Sequence, residues 1–126
     1  MDELDEIIKS EKAKKARYKK RSKLRKEIKE DLINQLENKS IIEITFMDLI
    51  SDYLSLWDIK NELIHDIETN GVSVKYQNGA HQWGYKKNDC IPELNKVNGQ
   101  MLKILNELGI KVGIAKVDDE DDKFDL

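Results

Sequence analysis

The chain has 126 residues, 37% charged and 39% hydrophobic, with a formal net charge of −3; that length fits one domain with a core of modest size. A single cysteine, Cys90, excludes a disulfide framework and a CxxC metal pair. The opening MDELDEIIKSEKAKK has no apolar run suited to a signal peptide, and no segment approaches the roughly 18 apolar residues of a membrane span, so a cytosolic protein is expected.

Residues 1–40 are predicted to form one long helix. They hold strong helix formers and no Gly or Pro. Leu24, Ile28, Leu32 and Leu36 recur every four residues as a narrow apolar stripe. Before Leu24 the stripe fades, so that half is expected to be mobile or ordered by a partner. Between Lys12 and Lys29 there are eleven Lys/Arg against one acid, Glu27. The cations lie on all sides of a helix and repel one another unless an anion is present. A nucleic-acid phosphate backbone, a solvated face, and an acidic protein or membrane surface are the three readings of this run.

The next helix is expected from about Thr45 to Thr69. Thr45 and Asp48 fit a capping box, Ile44 and Leu49 a hydrophobic staple, and Asn70-Gly71 a stop. Its apolar residues, among them Leu49, Tyr53, Leu56, Trp57, Leu63 and Ile64, cover an arc of roughly 200°, more than one neighbouring helix can shield. Uncovered apolar area of that kind marks subunit contacts, and self-association is expected.

Asn78-Gly79 is the preferred pair for a two-residue hairpin turn. That turn would put Tyr76 opposite His81, Val74 opposite Trp83 and Val72 opposite Tyr85, all on one face. A lone ribbon is marginal, so the aromatic face is expected to lie on helices or on another subunit. The third helix is expected from Ile91 to Leu108, with Pro92 in its first turn and Gly109 just past its end. Met101 and Leu105 belong to its apolar face. The chain then closes on "DDEDDKFDL", with six acids against one base between Asp118 and Leu126.

The expected fold is mainly α: a basic N-terminal arm (1–40), a helical-hairpin core (41–110) carrying a β-hairpin at 72–86, and an acidic tail (111–126). The run "LISDYLSLWDIKNELIHDIETNGVSVKYQNGAHQWGYKKND" followed by "PELNKVNGQMLKILNELGI" resembles the P27-like family of phage terminase small subunits. The resemblance covers about residues 45–110 and rests mostly on packing motifs. It implies a non-catalytic DNA-recognition subunit of the viral packaging motor, working in the host cytoplasm. Such subunits form rings, bind double-stranded viral DNA, and hand it to a large subunit carrying the ATPase and nuclease. Many carry an N-terminal helix-turn-helix; residues 1–40 have no turn signal, which favours backbone contact over operator-style readout.

The candidate DNA-binding residues are Lys12, Lys14, Lys15, Arg17, Lys19, Lys20, Arg21, Lys23, Arg25 and Lys26. Candidates for assembly are Leu49, Tyr53, Leu56, Trp57, Leu63, Ile64, Met101 and Leu105. Phe124 and Leu126 are apolar anchors in the tail, for docking on the large subunit. The tail can equally be a solubilising end, or fold back on the basic arm. Tyr18 is a base-stacking candidate or an ordinary helix-surface tyrosine.

His65 and His81 lie in different elements, and no Cys or His stands at metal-ligand spacing, so no metal is expected. Asp48, Asp52, Asp58, Glu62 and Asp66 read as a solvated helix face rather than a nuclease site. No GxxxxGK[ST] loop is present, so no ATPase and no cofactor are expected. The competing readings are an oligomeric nucleic-acid-binding or protein-interaction adaptor unrelated to packaging, and a small nuclease.

Overall fold

The computed structural model describes residues 2–39 and 43–110. Among them the order is α1 (Glu3–Asn38), α2 (Ile44–Asn70), β1 (Ser73–Gln77), β2 (Trp83–Lys87) and α3 (Cys90–Glu107). The backbone divides into two compact units, with the boundary between Met47 and Asp48.

In the first unit, α1 runs without interruption for 36 residues. Asp2 caps it: its Oδ1 accepts from the Asp5 N–H at 2.8 Å. Glu3, Asp5 and Glu6 place negative charge in the first turn, where the helix dipole favours it. Of the apolar stripe, Leu32 and Leu36 are buried and Ile28 is half-buried, while Leu24 is 49% exposed. The buried part therefore begins one turn later than the four-residue spacing suggests. At the other end Leu4, Ile7 and Ile8 are exposed together on one face.

The second unit holds most of α2, the hairpin and α3. α2 begins at Ile44, and the Met47 N–H donates to the Glu43 carbonyl at 3.1 Å. Thr45 thus stands inside the first turn and is not the cap residue. The other end follows expectation: Gly71 has φ 87° and its N–H donates to the Ile67 carbonyl at 2.8 Å. That single bond to a left-handed glycine is the simple αL stop.

α3 ends in a Schellman motif. The Gly109 N–H donates to Asn106 and the Ile110 N–H to Leu105, with Gly109 at φ 72°. Leu105 and Ile110 are both buried, supplying the apolar residues that accompany this motif. Asp66, near the end of α2, bonds Asn88 just before α3. Asp52, Ser55 and Leu56 share an open groove with Gln100, Lys103 and Ile104. Those two meetings make α2 and α3 antiparallel. The buried apolar residues of this unit are Ile50, Leu54 and Trp57 from α2, Val97, Met101 and Leu105 from α3, and Leu108 and Ile110 beyond it.

The hairpin forms, but in another register. Val74 pairs with Lys86, Lys75 with Tyr85, Tyr76 with Gly84 and Gln77 with Trp83. The connection is the five-residue loop 78–82, closed by the Asn78 N–H donating to Gln82 O at 2.8 Å. Relative to a two-residue turn at Asn78-Gly79 the strands slip by three residues. An odd slip transfers one strand's side chains to the other face of the sheet. Trp83 and Tyr85 accordingly share a face with Lys75 and Gln77, while Val74 and Tyr76 share theirs with Gly84 and Lys86. The aromatics are also left open among the described residues: Tyr76 is 41%, Trp83 59% and Tyr85 74% exposed.

Candidate functional site

The densest cationic surface is on α1. Its 100° step per residue spreads Lys12–Lys29 around the whole helix. Lys12, Lys14, Lys15, Lys19, Lys20, Lys23 and Lys26 are exposed; Arg17, Arg21 and Arg25, four residues apart, are half-buried along one line. Tyr18 sits among three of the cations. Arg17 and Arg21 guanidiniums lie 5.2 and 5.5 Å from its ring centre, and Lys14 Nζ lies at 5.8 Å. A tyrosine face attracts cations at this range, so the ring gathers positive charge around itself.

The assembly candidates divide by burial. Trp57, Met101 and Leu105 are buried side chains of the protomer's own core, whereas Leu49, Tyr53, Leu56, Leu63 and Ile64 are half-buried. Leu56 lines the open groove between α2 and α3. Burial raises the Tyr53 hydroxyl above its ordinary pKa. Ile59 is 48% and Leu102 62% exposed, so apolar surface remains on both helices. Phe124 and Leu126 lie outside the described residues, as does the rest of the acidic tail.

Asn88 was not singled out by sequence reasoning, yet it ties the second unit together. It is 4% exposed and is the buried polar residue among those described. Its Nδ2 donates to Asp66 Oδ1 at 3.0 Å and to the Gly71 carbonyl at 2.9 Å. Its Oδ1 accepts from the Cys90 N–H at 2.9 Å, capping the start of α3. Its backbone N–H donates to Val72 O at 2.8 Å. One side chain thus holds the end of α2, the turn after it and the first turn of α3. The only local hint was an Asn two residues before a helix start, an Asx-turn position.

The titratable groups nearby follow from that network. Hydrogen bonds from Asn88 first, and Asn70 next, hold the Asp66 carboxyl below its ordinary value. Desolvation first, then its hydrogen bond to Asp66, pushes the Cys90 thiol up. A thiol held neutral and donating to a carboxylate is a weak nucleophile. Among the described residues no group of three or more His, Cys, Asp or Glu could hold a metal ion, and no helix is long and apolar enough to cross a membrane.

A family model described as phage terminase, small subunit, matches residues 25–112, well over half of the chain. The match contains the whole 45–110 stretch whose motifs carried the resemblance, and reaches back into the basic part of α1. No curated protein and no solved structure matches the chain.

Proposed function

This chain belongs to the phage terminase small-subunit family and has a role in phage genome packaging, and on that premise we propose that it is the non-catalytic DNA-recognition component of the packaging motor. Its basic arm binds double-stranded viral DNA, copies associate into a ring through the α2–α3 unit, and the assembly recruits the large terminase subunit. The acidic tail, with Phe124 and Leu126, is the docking peptide for that subunit.

One observation carries this reading: eleven cations against one acid between Lys12 and Lys29, borne on one continuous helix. At 1.5 Å per residue this stretch is roughly 27 Å long, about eight base pairs of duplex at 3.4 Å each. Phosphate contacts of this kind fix position and carry no sequence readout. A single arm binds weakly; a ring presents many arms at high effective concentration, and weak contacts then sum to firm binding. The half-buried Leu49, Tyr53, Leu56, Leu63 and Ile64, with the exposed Ile59 and Leu102, supply the apolar seam for association.

The test is duplex binding against salt, together with native mass. If Z phosphates are neutralised, log affinity falls with log salt at a slope of about −0.9Z. Changing the exposed Lys12, Lys15, Lys19 and Lys23 to Gln should flatten that slope, by about 0.9 for each phosphate no longer neutralised. Unchanged binding in that variant, or a chain that stays monomeric with and without DNA, overturns the proposal. Metal-dependent cleavage of DNA by the isolated chain would instead revive a nuclease.

A further inference from the structure

The hairpin has surface that neither the fold nor the basic arm accounts for. Trp83 and Tyr85 stand 59% and 74% exposed on neighbouring same-face positions of β2. Lys75 and Gln77 share that face on β1, and Lys75 Nζ lies 4.5 Å from the Trp83 ring centre. Between Gly71 and Asn88 there is no acid; Lys75 and Lys87 supply two cations on this face, while Lys86 lies on the other and pairs with Asp89 at 3.2 Å.

Two large rings left in water beside lysines, without a carboxylate among them, describe a surface for a polyanion that also carries flat apolar groups. Nucleic acid is that ligand, and the rings decide its form. A stacked duplex keeps its base faces against each other and offers an aromatic side chain nothing to stack on. An unpaired strand exposes them, and every base has such a face. Same-face neighbours on a strand are about 7 Å apart, twice the rise per residue, so one base can lie against each ring. Lys75 and Lys87 are placed for the phosphates beside them.

We propose that the β1–β2 hairpin is a second nucleic-acid contact, taking unpaired bases on Trp83 and Tyr85 with the backbone on Lys75 and Lys87. It depends on the arm reading only for the choice of DNA as ligand. The arm grips duplex, and the hairpin takes strands where the duplex is open.

The experiment uses the full chain with three probes: fluorescein-labelled oligothymidylate, a mixed-sequence duplex of equal length, and polyglutamate. Trp57 is buried and Trp83 exposed, so oligothymidylate should quench the exposed part of the tryptophan emission, and Trp83→Phe should remove that quenching. Trp83→Ala and Tyr85→Ala should each weaken oligothymidylate binding roughly tenfold and leave duplex binding nearly unchanged. The arm variants should weaken duplex binding and, through lost phosphate contacts, part of single-strand binding, but leave the quenching of Trp83 by saturating oligothymidylate in place, so a failed arm leaves the hairpin result readable. Single-strand affinity unchanged in both alanine variants overturns the proposal. So does polyglutamate binding that needs Trp83, which would mark an acidic-protein dock. A fall in native particle mass in Trp83→Ala also overturns it, since the face would then be a contact between copies.

Discussion

The Tyr76 ring lies across Gly84, its cross-strand partner. A β-carbon built on Gly84 would meet two carbons of that ring, Cε1 and Cζ, and its hydroxyl Oη, each at 3.0 Å. An aromatic over a strand glycine covers backbone that glycine leaves bare. Tyr76→Ala should therefore loosen the ribbon, by about 0.5–1 kcal/mol of cross-strand contact, and speed amide exchange at Gly84 and Tyr85. Gly84→Ala needs the exposed ring to shift only a few tenths of an ångström and should be tolerated. Gly84→Val, with two more carbons under the same ring, should not. Equal exchange rates in Tyr76→Ala and the parent would sink this account.

Asn88→Ala should cost about 1–3 kcal/mol in urea unfolding, the penalty for leaving buried polar groups unpaired. It strips partners from Asp66, the Gly71 carbonyl and the Cys90 N–H at once. Asn88→Asp should cost more at neutral pH, because it places a second carboxylate against Asp66. A midpoint within error of the parent for both variants would remove Asn88 from its place in the fold.

Acid titration reports on the same bond. The Asp66 carboxyl is held below its ordinary value in the folded chain, by Asn88 first. Unfolded, it binds its proton near pH 3.9. Its contribution is thus fully present above that pH and fades as pH falls through the depressed folded value. Asp66→Asn should lose less stability than the parent between neutral pH and about pH 3. Parallel curves of urea midpoint against pH would exclude the effect.

Cys90 should be a poor target for thiol reagents. Burial and the Asp66 carboxylate both raise its pKa, so at neutral pH less thiolate is present than in the unfolded chain. Labelling by a disulfide reagent should be several-fold slower in native buffer than in urea. Asp66→Ala should bring the native rate closer to the unfolded one. Native labelling as fast as in urea would count against it.

The helices were legible because their ends carry their own chemistry. Gly71 and Gly109 take the left-handed angles at which the pattern stops each helix, and Pro92 sits in the first turn of α3. Thr45 misled because a capping box is a local preference, and the helix starts two residues earlier than that cap implies.

The register failed for a tertiary reason. Asn78-Gly79 favours a two-residue turn, but that turn stacks Val72, Val74, Tyr76, Trp83 and Tyr85 on one face, a large apolar surface for a two-stranded ribbon to leave in water. The slipped pairing splits the aromatics between two faces. It also sets Tyr76 over Gly84, puts Lys75 against Trp83, and lets Gln77 Nε2 donate to Ala80 O. Asn88 was invisible for a related reason: its partners Asp66 and Gly71 lie 22 and 17 residues away. Of the candidate site, the cationic run was plain from composition alone. The partition of Trp57, Met101 and Leu105 into the core needed coordinates, because an apolar stripe does not say which of its members a neighbour reaches.

The bonds of Asn88 also set how a mechanical load would travel. A tug on the tip of the ribbon runs down two short strands to a single knot, which is tied to the last turns of one rod and the first turn of the next. The base of the ribbon is therefore moored to both rods through one residue, so a displacement at loop 78–82 is felt first at that knot.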